Sequence, residues 1–484
     1  MSRVWLLFPI LLPLLAGAGL LLWRPGSRAR RTICLGTVAL NLAVAALVIC
    51  HPPQEALTLV SWGPQLSLSF QLDVFGRVFG GLVAALWLPT TLYAFSYLPH
   101  AGGEGNFYGW FLMTYGVVEG VAFAGNLLTL YTCYELMTLM TLPLVMHGGG
   151  GKARRAGRQY LLYAMCGAAM AFLSFMLLLP SADTLDFQLG GVLPPGQEGS
   201  GHLLLAGALG FLGFGVKAAV FPFFAWLPGA SVAPTPVTAL LHAVAVVKAG
   251  AFAVGRLVFY LLGPAGLSGT WVQQGMLALA LLTILTGGVL ALRTPHMKRR
   301  LAYSTIANLG YLLFAFSLLT PAGLVAGALH MLVHGVGKIT MFFSAGAVLC
   351  QTGREWLEEL WGLGKSMPVT FAGLSVCACS LAGIPPFPGF SSKWLCAQAA
   401  WAQGSGLALA GTGVLVISAV LAVLYLGGMA LRAYFPPREE AVITGGADPD
   451  WRMTLPIGGL ALLQVAMTAA IPSLTGLLEG LLGL

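Results

Sequence analysis

Residues 211–256 read FLGFGVKAAVFPFFAWLPGASVAPTPVTALLHAVAVVKAGAFAVGR, apolar enough to lie in lipid yet carrying Lys217, His242 and Lys248 well inside the hydrophobic run. Pro222 and Pro228 interrupt its first part, and Pro234 and Pro236 precede its second. A charge at bilayer depth costs at least ~2.5–3.5 kcal/mol, so lysines there point to ion or proton movement. Proline removes a backbone donor and clashes with the carbonyl one turn earlier. Polar backbone freed in this way is tolerated at depth only where it is buried in protein or lines water.

The rest of the chain extends this reading. Of 484 residues, 58% are hydrophobic and 8% charged, against about 25% charged in soluble domains. Mean hydropathy is +0.86. The fold class is therefore an all-α polytopic membrane protein. Runs of about 20 apolar residues, each able to cross a ~30 Å hydrocarbon core, predict fourteen spans. They lie near 4–23, 32–50, 75–97, 107–125, 127–146, 159–180, 203–226, 237–262, 271–292, 301–319, 323–350, 368–390, 405–431 and 454–473. The first resembles a signal peptide but is too long, and its arginines follow it instead of preceding it, so an anchor with an outside N-terminus is expected. Residues 56–73 alternate polar and apolar about a Gly-Pro, which predicts an external β-hairpin.

The charges test the span count. Four basic residues follow span 1 (Arg24, Arg28, Arg30, Arg31), four follow span 5 (Lys152, Arg154, Arg155, Arg158) and four lie between spans 9 and 10 (Arg293, Lys298, Arg299, Arg300). Five more (Arg354, Lys365, Arg432, Arg438, Arg452) occupy the 11–12 and 13–14 connections. All of these loops fall on one side. The opposite side holds Glu55, Asp183, Asp186 and Glu198, with Arg3 its only basic residue. The net charge of +8 is thus positive-inside bias, which places the basic loops in the cytoplasm of a cell (plasma) membrane and argues against a nucleic-acid partner. The eight cysteines fall almost entirely in apolar spans with no CxxC pair. They read as small buried hydrophobes, and no cofactor or bound metal is expected.

Subtracting the loop charges leaves Arg77, Lys217, Lys248, Arg256, Lys338 and Lys393 at depth, with Asp73, Glu119, Glu135, His242, His330 and His334. Glu135 sits in the middle of span 5, and Lys217 on the broken span 7 is its natural ion-pair partner, each tuning the other's proton affinity. His242 and Lys248, six apart on span 8, lie about 120° off each other on the helical wheel, and both can border an interior polar path. ALHMLVHGVGKITMFF (328–343) places His330, His334 and Lys338 at successive turns on one face, a proton wire with ~6 Å steps. A two-histidine metal site is the rival, but HMLVH lacks the glutamate of HExxH and Lys338 opposes a cation. LAGIPPFPGFSSKWLC (381–396) repeats the broken-helix theme before Lys393. GLGKS (362–366) is no P-loop, because position 359 is Glu and no strand precedes it.

Two broken-helix lysines, one in each group of five spans (107–262 and 271–431), suggest duplication. Because five is odd, the copies would be inverted. Residues 1–106 would form an N-terminal unit with the hairpin, and 432–484 a loop and last helix.

Five blocks resemble a known family: YELMTLMTLPLV, GFGVKAAVFPFFAWLPGASVAPTPVTALLHAVAVVKAG, KRRLAYSTIANLGY, HMLVHGVGKITMFFSAG and AGIPPFPGFSSKW. They are similar to the antiporter-like, proton-conducting subunits of respiratory complex I, Mrp-type cation/proton antiporters and energy-converting hydrogenases. The resemblance implies fourteen helices with two inverted five-helix repeats. It implies a proton pathway through Glu135, Lys217, His242, Lys248, His330, His334, Lys338 and Lys393, other membrane subunits as partners, and protons or Na+ as cargo. The LLHAVAVVKAG block leans toward the Mrp and hydrogenase branch. No long amphipathic helix follows span 14, which tells against the longest complex I member. The alternative is a stand-alone secondary transporter of a small solute, which would need a central binding cavity; a structural subunit with a degenerate path is the third reading.

Overall fold

The computed structural model describes residues 2–63, 65–194, 196, 199–436 and 446–482; Glu198 and Arg438 lie outside the described residues. Fourteen helical spans appear among them. The first six are continuous: Arg3–Trp23, Ser27–Cys50, Val74–Tyr97, Phe107–Ala122, Leu127–Val145 and Gly150–Leu178. Span 7 is helical over Gly201–Lys217, unwinds, and ends in the short helix Trp226–Ala230. Spans 8 to 11 are Thr235–Leu261, Trp271–Arg293, Met297–Ser317 and Pro321–Thr352. Span 12 is split into Pro368–Ala382 and Pro388–Gln403, and Gly406–Tyr434 and Trp451–Leu482 complete the bundle. Ten of these helices are long and apolar enough to cross a membrane on those criteria alone. The other four are the two broken spans, the 16-residue span 4 and span 10, which opens with Lys298, Arg299 and Arg300.

Burial sorts the spans. In span 8 every residue of the apolar window is buried by protein, and in span 11 it is 89%, against 33% for each of spans 1 and 2. Spans 8 and 11 form the core, and they carry His242, Lys248, His330, His334 and Lys338. Protein, not lipid, surrounds these groups, which is the condition for keeping polar side chains at depth. Phe252 of span 8 stacks on Phe75 and Phe79 of span 3, at 4.7 and 4.8 Å.

The expected hairpin is present as antiparallel strands Leu57–Ser61 and Ser67–Phe70. It is sewn to the start of span 5, where Asn126 caps the helix by accepting from the Thr129 amide and donates to the Ser67 and Ser69 hydroxyls.

Three differences from the sequence reading concern the site. Span 7 ends its first helix at Lys217, so the lysine is itself the last helical residue. The second half of span 12 runs on to Gln403, well beyond residue 390. Span 8 is not continuous: it breaks at Val244 and Ala245, whose ψ values are −43° and −91°. The wheel angle between His242 and Lys248 therefore does not apply. No proline marks this break, so helical periodicity carried straight through it.

Candidate functional site

At each helix break side chains donate to carbonyl oxygens of the last helical turn before it. At the end of the first half of span 7, the Tyr134 hydroxyl donates to the Phe214 carbonyl at 3.1 Å and the Trp226 indole to the Val216 carbonyl at 2.9 Å. At the span 8 break, the Lys248 ammonium donates to the His242 carbonyl at 3.0 Å. At the span 12 break, Lys393 reaches back across the gap to the Leu381 carbonyl at 2.6 Å and the Ala382 carbonyl at 3.4 Å. The negative ends of half-helices stabilise cations, so these lysines sit where the backbone solvates an ammonium in place of water.

Lys217 meets its expected partner. Its Nζ lies 3.3 Å from Glu135 Oε1, donates to the Tyr134 carbonyl at 2.6 Å and stands 3.4 Å above the Tyr134 ring. The lysine side chain is 2% exposed and the glutamate 29%. Glu135, mid-span, thus opens on the periphery of the chain while Lys217 is enclosed.

The second cluster is connected. Lys248 Nζ also donates to His334 Nδ1, and the His334 and His330 rings stack at 5.9 Å. His330 Nδ1 lies 3.0 Å from Ser392 Oγ, whose hydroxyl donates to the Gly389 carbonyl. That assignment makes His330 Nδ1 the donor and His334 Nδ1 an acceptor, so the two imidazoles hold opposite tautomers. Tyr311 joins the run to Lys393: its ring is 5.3 Å from His330 and 4.9 Å from the Lys393 ammonium.

Two members stand apart. Lys338 shares the helix face of His334 but donates to the Leu301 carbonyl of span 10 at 3.1 Å. His242 is fully buried against Phe342, 4.6 Å between rings, and neither ring nitrogen has a hydrogen-bond partner among the described residues. Lys217 and Lys248 share no hydrogen bond. Their helices touch through Gly250, where a Cβ would come 2.9 Å from the Lys217 carbonyl carbon.

Sequence reasoning passed over Ser392 and Tyr311, although both lie inside quoted blocks. It also left Arg256 without a partner. Arg256 forms a two-pronged pair with Asp73 among the rings of Phe187, Phe252 and Tyr260, at 4.8, 4.9 and 4.5 Å. Asp73 also caps span 3 by accepting from the Gly76 amide. This pair fastens span 3 to span 8.

On the side of the basic loops, a cavity of about 430 Å³ opens between the connections, lined by Lys152, Lys298, Arg299, His147, His296 and Glu355 among others. His296 pairs with Glu355 at 3.4 Å. Desolvation keeps the imidazole below its ordinary protonation range; Glu355 opposes that shift, and Arg299 and Lys298 add to it. Pro234 at the cavity wall begins span 8, whose Thr235, Thr238 and His242 follow inward.

Residues 124–422, which include all eight candidate site residues, match the family described as NADH:quinone oxidoreductase/Mrp antiporter, TM. The chain belongs to this family. It is 30% identical over 400 residues to NADH-quinone oxidoreductase subunit N of Desulforudis audaxviator (strain MP104C), covering 82% of this chain and 77% of that one. It is 32% identical over 348 residues to a probable K(+)/H(+) antiporter protein of Rhizobium meliloti (strain 1021), covering 69% of this chain but 33% of that one. In fold it is similar to a chain of the Mrp complex from Dietzia sp. DQ12-45-1b, with a TM-score of 0.87 at 22% identity, covering 100% of this chain and 97% of the other. The chain is a multi-pass membrane protein.

Proposed function

We propose that this chain is a proton-translocating, antiporter-like subunit of a multisubunit membrane complex of the Mrp or complex I type. Protons would move through Glu135, Lys217, His242, Lys248, His330, His334, Lys338 and Lys393. The observation that carries the reading is the Lys217–Glu135 pair at a helix break, on a helix packed at Gly250 against the one that carries Lys248, where the run Lys248–His334–His330–Ser392 begins. An ammonium paired with a carboxylate holds its proton; when the pair opens, desolvation favours release. The next groups along are imidazoles and lysines whose neutral forms can receive a proton through water.

The half-open position of Glu135 supports partnership with a neighbouring membrane protein of the complex, because an acid facing the chain periphery at mid-span requires covering. The basic loops support a cytoplasmic placement with the N-terminus outside, in a plasma membrane. Residues 107–262 and 271–431 serve as two inverted five-span units, flanked by 1–106 and 432–484. A break in span 7 and another in span 12 support that division.

The test is proton flux in vesicles containing the assembled complex. Lys217→Ala and Glu135→Ala are each expected to abolish coupled flux while the complex still assembles. Normal flux in both variants would reject the proposal.

A further inference from the structure

Glu119 is the acid at depth that the line from Glu135 to Lys393 does not use. It lies near the end of span 4 and is fully buried, and neither of its oxygens has a hydrogen-bond partner among the described residues. No lysine, arginine or histidine nitrogen among those residues lies within ion-pair distance of it; the nearby Asp73 carboxylate is committed to Arg256. A carboxylate cannot stay ionised in such surroundings at acceptable cost and takes up a proton instead.

The surroundings are built to hold such a group. Span 3 presents Gly80 to it, where a Cβ would come 3.2 Å from Glu119 Oε2. One turn earlier, Gly76 lets span 3 close on the Ala122 carbonyl and lies beside Asp73 Oδ1. One turn inward on span 4, the Tyr115 hydroxyl is buried without a partner, as are Asn41 Oδ1 of span 2 and Trp87 Nε1 of span 3. Tyr115 faces Asn41, and Trp87 stacks on Tyr115 at 4.7 Å. Spans 2, 3 and 4 therefore enclose a cluster with both donors and acceptors free. A cluster offering indole and phenol donors suits a protonated acid and water better than a metal cation.

Its position brings it close to the hairpin face. Just beyond Glu119, span 4 is locked to the hairpin: the Gln71 amide donates to the Phe123 carbonyl and the Gly125 amide to the Ser69 carbonyl, both at 2.9 Å. Asp73, 29% exposed, marks where that face begins. Glu119 lies opposite Gly80, four residues further along span 3 than Gly76, a rise of about 6 Å. Gly120, its neighbour, faces Cys133 of span 5, while Glu119 itself faces Gly80 of span 3.

We propose that Glu119, with Tyr115 and Asn41, is a proton-binding site off the main line, exchanging protons with the hairpin face of the molecule at the Asp73 end of span 3. This deepens, and rests on, the proton-translocating reading.

The test uses the assembled complex and infrared difference spectroscopy. The parent protein should show a protonated-carboxyl carbonyl band that shifts in D2O, disappears in Glu119→Gln and moves in frequency in Glu119→Asp. A missing band, or a band that does not shift in D2O, would overturn the site. The infrared arm is independent of transport. Normal flux in both Lys217→Ala and Glu135→Ala would reject the functional reading and leave the Glu119 band to be judged on its own exchange.

Discussion

Lys217→Arg separates a proton carrier from a structural cation. The parent ammonium is 2% exposed, 2.6 Å from the Tyr134 carbonyl, 3.3 Å from Glu135 and 3.4 Å above the Tyr134 ring. A guanidinium can reproduce each contact, since its planar fork pairs with carboxylates and stacks on aromatic faces. Its extra bulk in a packed site costs about 1–3 kcal/mol, so complex yield is measured beside flux. What arginine cannot reproduce is release. Ordinary side-chain values are about 10.4 for lysine and about 12.5 or higher for arginine, which lowers the deprotonated fraction at least ~100-fold in the same surroundings. If a deprotonated Lys217 lies on the path, flux into vesicles followed with a pH-sensitive dye should fall by about that factor, at unchanged complex yield. If Lys217 only holds span 7 to span 5, Lys217→Arg should transport normally where Lys217→Ala fails. Flux in Lys217→Arg within about twofold of the parent would therefore refute the carrier role, whatever the alanine variant does.

The Asp73–Arg256 pair should show an unequal response to removal of its two halves. Asp73→Ala leaves an arginine that is 1% exposed without its carboxylate, costing about 3–5 kcal/mol, and removes the cap of span 3, about 1 kcal/mol more. Arg256→Met leaves an acid that is 29% exposed and can be hydrated, so its unfolding midpoint should drop less; the reverse order in a thermal-unfolding series would contradict this account. A second expectation concerns His296 at the cavity mouth. Its imidazole is held neutral by desolvation against the pull of Glu355, so its protonation range in the fold lies below that in the unfolded chain. The stabilisation is present above the unfolded value of about 6.5 and is lost as pH falls through the folded value. The loops joined by the Met297 amide to the Glu355 carbonyl should become more open to trypsin at Arg354 as pH falls below about 6.5 and through the lowered range of the folded imidazole, and His296→Gln should flatten that dependence; equal cleavage across the range in the parent would count against it.

The fold was legible because lipid imposes a simple length rule and because loop charges gave an independent check on the count. Lys217 and Lys393 were legible for the same reason: proline marks a helix break and a lysine beside one is costly at depth. The break at Val244–Ala245 carried no such mark. It arises within AVAVV, whose residues are all compatible with a helix, so it is set by packing and by the Lys248 ammonium that answers the freed His242 carbonyl. The stripe His330–His334–Lys338 predicted a shared face but not shared partners. Those lie on spans 8, 10 and 12, and no pattern local to span 11 encodes them. Tyr311 and Ser392 were invisible for a related reason, since a hydroxyl at depth costs little and is common in apolar helices.

The arrangement of charges limits how the proposed line could work. Four lysines are buried along it, and Glu135 is the one carboxylate paired with any of them among the described residues. Lys248 and Lys393 hold their ammonium groups on carbonyls exposed by helix breaks, and Lys338 on a carbonyl of span 10. A carbonyl dipole stabilises an ammonium but does not demand it, so these sites lose little when the lysine becomes neutral. A carboxylate is different, because removing the proton from its partner leaves it without a counter-ion. The costly protonation step is therefore confined to the Glu135–Lys217 end, and Glu135 is also the member that opens on the periphery. A neighbouring protein of the complex that moved a charge toward or away from Glu135 would change the one strong ion pair in the line, and the weakly biased sites beyond it would follow. Control at the edge and tolerance in the interior is what this distribution of acids and broken helices provides.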